Sequence, residues 1–189
     1  MDINRIMAQR WKEAQNEPSL CERYKKKLLT AFPGEIPSGE LFYPNTFDGS
    51  DEIDYLNCIN YFENKKWFEI DLNEAYKNYS QHLYLTVLGR VYYLPAFLSY
   101  FYNLRHLDLE YYMYFMLDLS EGIKTPTRRD SYEEVEYDYS AFDHLTKEQS
   151  KLVAFFLVNA ENLYPSNYFE VSCAKLALAN YWGKFLLMN

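Results

Sequence analysis

Along this chain apolar residues recur at steps of three and four far more often than at steps of two, the pattern of helices that bury one face. Residues 2–16 place Ile3, Met7, Trp11 and Ala14 on one stripe, with Arg5, Arg10, Lys12 and Glu13 mostly elsewhere. After a break at Asn16, Glu17 and Pro18, Ser19 stands three residues before Glu22, the spacing of a reciprocal helix cap. Leu20, Tyr24, Leu28 and Ala31 continue one face until Phe32, Pro33 and Gly34 end it. A further helix is expected after Ser50 or Asp51, with Ile53, Leu56 and Tyr61 inward and Asp51, Glu52 and Asp54 in its first turn, where the helix dipole favours acids. Trp67 and Ile70 form a short apolar tether between polar flanks, expected to pack on the helix that holds residues 92–98. Asp71 then caps a helix through Leu72, Ala75, Tyr76 and Tyr79.

Residues 83–104 are apolar on all sides and contain a single charge, Arg90. The stretch is long enough to cross a bilayer. Its Gly89, Pro95, five Tyr and central Arg oppose that, so a buried central helix is the expectation, kinked at Pro95 or restarting near Leu94. Arg90 should then be inside the domain and paired, because an unpaired buried cation is costly. Asp108 caps the next helix, which turns Leu109, Met113, Met116 and Leu117 inward, wraps Tyr111, Tyr112 and Tyr114 round its sides, and stops by Gly122. Thr146 and Gln149 make a capping box for a helix whose inner face carries Leu152, Phe155, Phe156 and Leu163. Val171, Ala174, Leu178, Tyr181 and Phe185 close the chain on a last helical stripe. With loops near 33–50 and 122–144, the pattern predicts an all-α fold. It is one domain over 1–189, an irregular bundle of about seven or eight helices around the central apolar one.

Three groups of residues resemble an uncharacterised bacterial helical domain family of unknown function: Trp67 with Ile70, the run Tyr92, Tyr93, Leu94, Pro95, Ala96, Phe97, Leu98, and Leu145, Thr146, Glu148, Gln149 before an apolar helix. The resemblance covers roughly residues 20–160 and implies a small bacterial, cytoplasmic, single helical domain. It carries no activity and no functional residue.

Composition narrows the chemistry. Cys21, Cys58 and Cys173 are widely spaced with no C-x-x-C, so neither a disulfide framework nor a zinc site is expected, and all three are read as small core residues. His82, His106 and His144 fall in no metal-binding spacing. No phosphate-cradling glycine motif, nucleophile elbow or segregated carboxylate pair is present, so the expectation is not an enzyme, with no cofactor and no metal. The charged residues, 27 acidic against 19 basic, leave a formal charge of −8, which opposes direct binding of nucleic acid despite Lys25, Lys26, Lys27 and Arg128, Arg129. The acid and basic residues near the start are not expected to form a signal peptide, no membrane association is expected, and the cysteine pattern points to a reducing cytoplasm.

What stands out is tyrosine, 20 residues, with 13 Phe and 3 Trp. In the segment 130–139, the acids Asp130, Glu133, Glu134, Glu136 and Asp138 alternate with Tyr132, Tyr137 and Tyr139. It is either a solvated loop or a contact surface, since clustered carboxylates steer a basic partner and Tyr brings large amphipathic area. The expectation is an acidic protein-binding module, a bacterial immunity or inhibitor protein whose partner is a basic toxin and whose binding occludes the toxin's active site; a DNA mimic is a special case of it. The alternative is a small-molecule-binding protein or an enzyme of unrecognised type with a Tyr-lined pocket around Arg90, in which Arg90, Tyr93 and Tyr100 hold an anionic ligand beside Tyr92 and Tyr112. Residues 48–54 are the next acidic candidate surface.

Overall fold

The computed structural model describes residues 18–45, 49–72, 84–102, 109–123, 138–163 and 169–187. Most of them are helical, with α1 at Pro18–Ala31, α2 at Gly49–Phe62, α3 at Val87–Tyr102, α4 at Leu109–Glu121, α5 at Lys147–Leu163 and α6 at Phe169–Asn180. Short 3-10 segments occupy Trp67–Glu69, Ser140–Phe142 and Trp182–Leu186. The all-α class stands, with six α-helices among the described residues. The expected helix over 2–16, nearly all of that after Asp71, and the cap at Asp108 lie outside them, as do His82 and His106.

The faces that turn inward are not always those with the largest aliphatic residues. In α2 the buried residues are Tyr55, Cys58 and Phe62, at steps of three and four, whereas Ile53 is 61% exposed and Leu56 45%. At about 100° per residue Ile53 lies nearly opposite Tyr55, so the expected Ile53 and Leu56 face is corrected: two aromatics and a thiol outweigh two aliphatics. On α5 the interior takes Leu152, Val153, Phe156, Leu157 and Ala160, while Phe155, expected inside, faces out beneath the Lys27 ammonium at 5.9 Å from the ring centroid. Leu20 is likewise exposed, and Tyr24 with Leu28 carries the α1 interior.

Eleven of the sixteen residues of α3 are buried. The helix begins at Val87 rather than residue 83, because Tyr84 to Thr86 join the preceding loop: Phe42 and Leu85 form an isolated antiparallel bridge, and the Tyr43 and Thr86 amides donate to the carbonyls of Tyr84 and Leu41 at 3.0 and 2.9 Å. The Thr86 hydroxyl caps α3 by accepting the Gly89 amide at 3.1 Å while donating to the Glu40 carbonyl at 2.7 Å. Only glycine fits at 89, since a Cβ there would stand 2.2 Å from the Leu41 carbonyl oxygen. The helix continues through Pro95 without a break, so it does not restart near Leu94; Pro95 removes one donor but is itself buried in the apolar interior. No described helix is long and apolar enough to cross a membrane.

The elements close on one another through polar ties as well as packing. α3 lies against α1, α5 and the turns at Trp67–Glu69 and Ser140–Phe142, and α6 lies against α4 and α5. The expected box at Thr146 forms: the Gln149 side-chain oxygen accepts the Thr146 amide at 2.7 Å and the Thr146 hydroxyl accepts the Gln149 amide at 3.3 Å. The same Gln149 donates its side-chain amide to the Ala31 carbonyl at 3.0 Å, fastening the start of α5 to the end of α1. The last stripe does not run through to Phe185 as one helix. It breaks at Tyr181 and rewinds as Trp182–Leu186, which seats the fully buried Trp182 with its indole N–H donating to the Leu119 carbonyl at 2.9 Å.

Tyrosines make most of the remaining ties. Tyr24, Tyr55, Tyr61, Tyr92, Tyr93 and Tyr139 each donate a hydroxyl to a main-chain carbonyl, those of Leu152, Tyr43, Asp71, Gly34, Phe62 and Ser120 respectively. Tyr24 also stacks on Tyr102, with ring centroids 4.1 Å apart. A ring that buries apolar area while its tip satisfies a carbonyl suits helix ends that come together irregularly.

Candidate functional site

Arg90 and Tyr93 are placed by α3, one turn apart. Arg90 is 9% exposed; its Nε donates to the Leu85 carbonyl at 3.2 Å and one terminal nitrogen reaches both Asp118 oxygens on α4, at 3.1 and 3.3 Å. The expectation of an interior, paired Arg90 holds. Burial pushes the Asp118 carboxyl up from 3.8 to about 6, against the guanidinium's opposite pull and with a small contribution from Glu121. The Tyr43 hydroxyl is buried beside this pair; burial raises its pKa first, with Arg90 lowering and Asp118 raising it.

Tyr93 points elsewhere. Fully buried, it donates to the carbonyls of Phe62 and Lys65 at 2.7 and 3.2 Å, and burial drives its hydroxyl well above the ordinary range. Tyr100 lies ten residues beyond Arg90, about 15 Å along the helix, and opens on a separate cavity. The proposed ligand set of Arg90, Tyr93 and Tyr100 is therefore not brought together. Arg90 meets a carboxylate, Tyr93 meets backbone, and only Tyr100 faces open space; the Tyr112 side chain lies outside the described residues.

That space is a half-open cavity of about 460 Å³ between α1, α3 and residues 67–72. Helix α1 supplies Cys21, Glu22 and Lys25, the segment 67–72 supplies Trp67, Phe68, Glu69, Ile70, Asp71 and Leu72, and α3 supplies Ala96, Ser99 and Tyr100. Its floor exists because Trp67 and Leu72 are 1% and 2% exposed, with the Trp67 indole N–H held by the Pro33 carbonyl at 3.1 Å. The turn Trp67–Glu69 docks on α3 as expected, and Ile70 packs half-buried against the core. The turn is reached through Asn64, whose positive φ of 59° lets the chain leave α2 in the left-handed conformation that Asn tolerates. It is secured by the Glu69 carboxylate accepting the Lys66 amide at 2.8 Å. Cys58 and Cys173 are buried as expected, and burial raises the Cys58 thiol far above its ordinary range. Cys21 departs from that expectation: it is half-buried and lines the cavity, with its thiol 3.9 Å from the Tyr102 carbonyl.

Of the acidic-tyrosine segment, Asp130, Tyr132, Glu133, Glu134, Glu136 and Tyr137 lie outside the described residues. Its end is described and does structural work. Helix α4 stops at Gly122, where φ is +89° and a Cβ would stand 1.6 Å from the Asp138 carbonyl oxygen, and the Asp138 amide donates to the Glu121 carbonyl at 3.1 Å. The exposed Asp138 carboxylate accepts the Ser140 amide at 2.9 Å, and its bonds with Ser140 hold it below the usual carboxylate range. Tyr139 stacks on Tyr181 at 4.6 Å and 8° between planes, and donates to the Ser120 carbonyl. Tyr181 in turn donates to Asp143 at 2.9 Å; burial and that carboxylate push its hydroxyl up to about 12. His144 is exposed, and among the described residues no group of His, Cys, Asp or Glu is placed to hold a metal ion.

Sequence reasoning missed the cavity because Cys21, Glu22, Glu69 and Asp71 are distant in sequence and each is ordinary alone; the only signal was the unexplained Trp67 and Ile70 tether. No family model matches the chain, and no curated protein or solved structure matches it.

Proposed function

We propose that this chain is an acidic protein-binding module, specifically a bacterial, cytoplasmic immunity or inhibitor protein that holds a basic toxin and covers its active site without chemistry of its own. On this reading the whole chain, 1–189, works as one helical domain in which α3 is the central helix. The observation that carries it over the ligand-binding alternative is the Arg90 to Asp118 ion pair at 3.1 Å: the cation on which an anion pocket would turn is already answered from within. The net charge of −8 is therefore expressed outward, through exposed carboxylates such as Glu22, Glu52, Glu69, Asp71 and Asp138. The contact surface on this proposal is Asp130, Tyr132, Glu133, Glu134, Glu136, Tyr137, Asp138 and Tyr139. Its support is that Asp138 and Tyr139 are tied to the ends of α4 and α6, so the acidic run adjoins a fixed point.

Co-purification from the native host tests the reading, with wild type and the triple variant Glu133→Lys, Glu134→Lys, Glu136→Lys as parallel baits. A basic protein enriched by wild type and lost from the triple variant, with unchanged far-UV circular dichroism, is the expected result. Equal enrichment by both baits moves the interface off 130–139, and enrichment of no basic protein removes the proposal.

A further inference from the structure

We propose that the cavity between α1, α3 and residues 67–72 is a receptor for one arginine side chain of the partner, a contact distinct from the 130–139 surface. The inference rests on the protein-binding reading and adds to it a site and a chemistry.

The aromatic lining is Trp67, Phe68 and Tyr100, with Phe68 40% exposed beside a Trp67 that is 1% exposed. An exposed ring next to a buried one offers a fixed platform, since Trp67 is pinned by the Pro33 carbonyl and Phe68 is in edge contact with it at 5.5 Å between centroids. The rim holds three acids, Glu22, Glu69 and Asp71, against a single base, Lys25, and all four are exposed. Aromatic faces under an excess of carboxylates select a cation with a flat or apolar body. Guanidinium fits better than ammonium. It is planar, stacks on rings, is more weakly hydrated, and engages a carboxylate through two parallel bonds. The molecule already shows that cations settle on the rings of this neighbourhood: the Lys66 ammonium stands 5.7 Å from the Phe68 centroid and that of Lys65 stands 4.3 Å from the Tyr61 centroid. At about 460 Å³ the cavity falls in the range of ligand sites and admits a side chain with part of its backbone.

Glu69 fixes the geometry of recognition because its carboxylate is oriented by the Lys66 amide, whereas Lys25 opposes the occupant from the rim and Lys66, whose ammonium stands over Phe68, must yield that ring to it. Glu69 and Lys25 therefore predict opposite effects, and where the shifts fall, on 68–72 and 96–100, separates the cavity from a nonspecific acidic surface.

The test is a titration of 15N-labelled full-length protein with the peptide acetyl-Gly-Arg-Gly-amide, and with its citrulline counterpart, which keeps the shape and removes the charge. The arginine peptide should shift amides of residues 68–72 and 96–100 in a saturable manner, and the citrulline peptide should not. Glu69→Gln with Asp71→Asn should weaken binding roughly five- to twentyfold, and Lys25→Glu should tighten it by about two- to fivefold, the effects of partly screened charges. Ser99→Arg, which places a guanidinium in the cavity, should abolish the shifts. Equal response to citrulline, or no effect of Lys25→Glu and Glu69→Gln with Asp71→Asn in folded protein, overturns the proposal. Saturable shifts confined to other acidic surfaces overturn the cavity assignment while leaving the protein-binding reading intact. Failure of the parallel baits with retention of these shifts does the reverse.

Discussion

Two regions of this molecule use the same materials to opposite ends. Around Arg90 a cation, a carboxylate and a phenol are enclosed, and the charges answer one another across α3 and α4. Around Tyr100 three aromatic residues and three acids line a space of about 460 Å³, with Lys25 on its rim and the Lys66 ammonium over Phe68. The difference is geometric. Arg90 sits where α3 meets another helix, so its neighbours are fixed and desolvated, whereas in the segment 67–72 Phe68, Glu69 and Asp71 are exposed. What decides whether an aromatic and charged cluster is architecture or a contact site is thus who supplies the counter-charge.

The largest expected effect is at the cavity floor, which packs on α3. Trp67→Ala empties a site that is 1% exposed, and should cost about 3 to 5 kcal/mol and remove the cavity wall. A chemical-denaturation midpoint within error of wild type contradicts this.

Next is the enclosed pair. Arg90→Leu should cost about 3 kcal/mol at pH 7, since it leaves a buried carboxylate alone and its Leu85 carbonyl without a donor. Because the guanidinium is the influence that holds the Asp118 carboxyl down, its loss should drive that pKa further up, and the cost should shrink at pH 5. Stability curves at the two pH values check both statements.

In the wild type, folding raises the Asp118 pKa from 3.8 to about 6, so the folded form binds the proton more tightly. This group's contribution is full below pH 4, declines as pH rises toward 6, and is constant above. The change is roughly 2 to 3 kcal/mol, and Asp118→Asn should flatten that part of the urea-midpoint profile. A difference between the wild-type and Asp118→Asn profiles that stays constant across this window contradicts the assignment.

Smaller is the tie at the end of the acidic segment. Tyr139→Phe keeps the stack on Tyr181 but loses the donor to Ser120, for about 1 kcal/mol. The smallest effect belongs to the open region: Glu69→Gln with Asp71→Asn should leave the thermal midpoint within the change of about 0.5 kcal/mol typical of surface sites. A large loss there means that the rim carboxylates hold the fold together, and the contrast between the two regions fails.

Periodicity was sufficient for the long helices, for the Thr146 box and for the stop at Gly122, because caps and glycine stops are local chemistry. It failed where neighbours decide. Ile53 and Leu56 were expected inward on hydrophobicity, yet the partner surface selected Tyr55, Cys58 and Phe62. The start of α3 was expected too early, since no local pattern announces that Leu85 will bridge to Phe42. Tyrosine abundance suggested contact surface, but Tyr24, Tyr55, Tyr92 and Tyr93 tie helix ends to carbonyls, so their frequency reflects irregular packing as much as binding. Arg90 was legible as interior and paired, but not its partner, because Asp118 resembles any other helix-surface acid in sequence.

The central claim is electrostatic capture of a basic protein, and the association rate of the purified partner tests it most directly. Measured by surface plasmon resonance from about 0.05 to 0.5 M salt, the on-rate for wild type should fall steeply through the screening range, and the variant Glu133→Lys, Glu134→Lys, Glu136→Lys should associate more slowly at the lowest salt. An on-rate that is independent of salt and the same for both proteins would contradict the account.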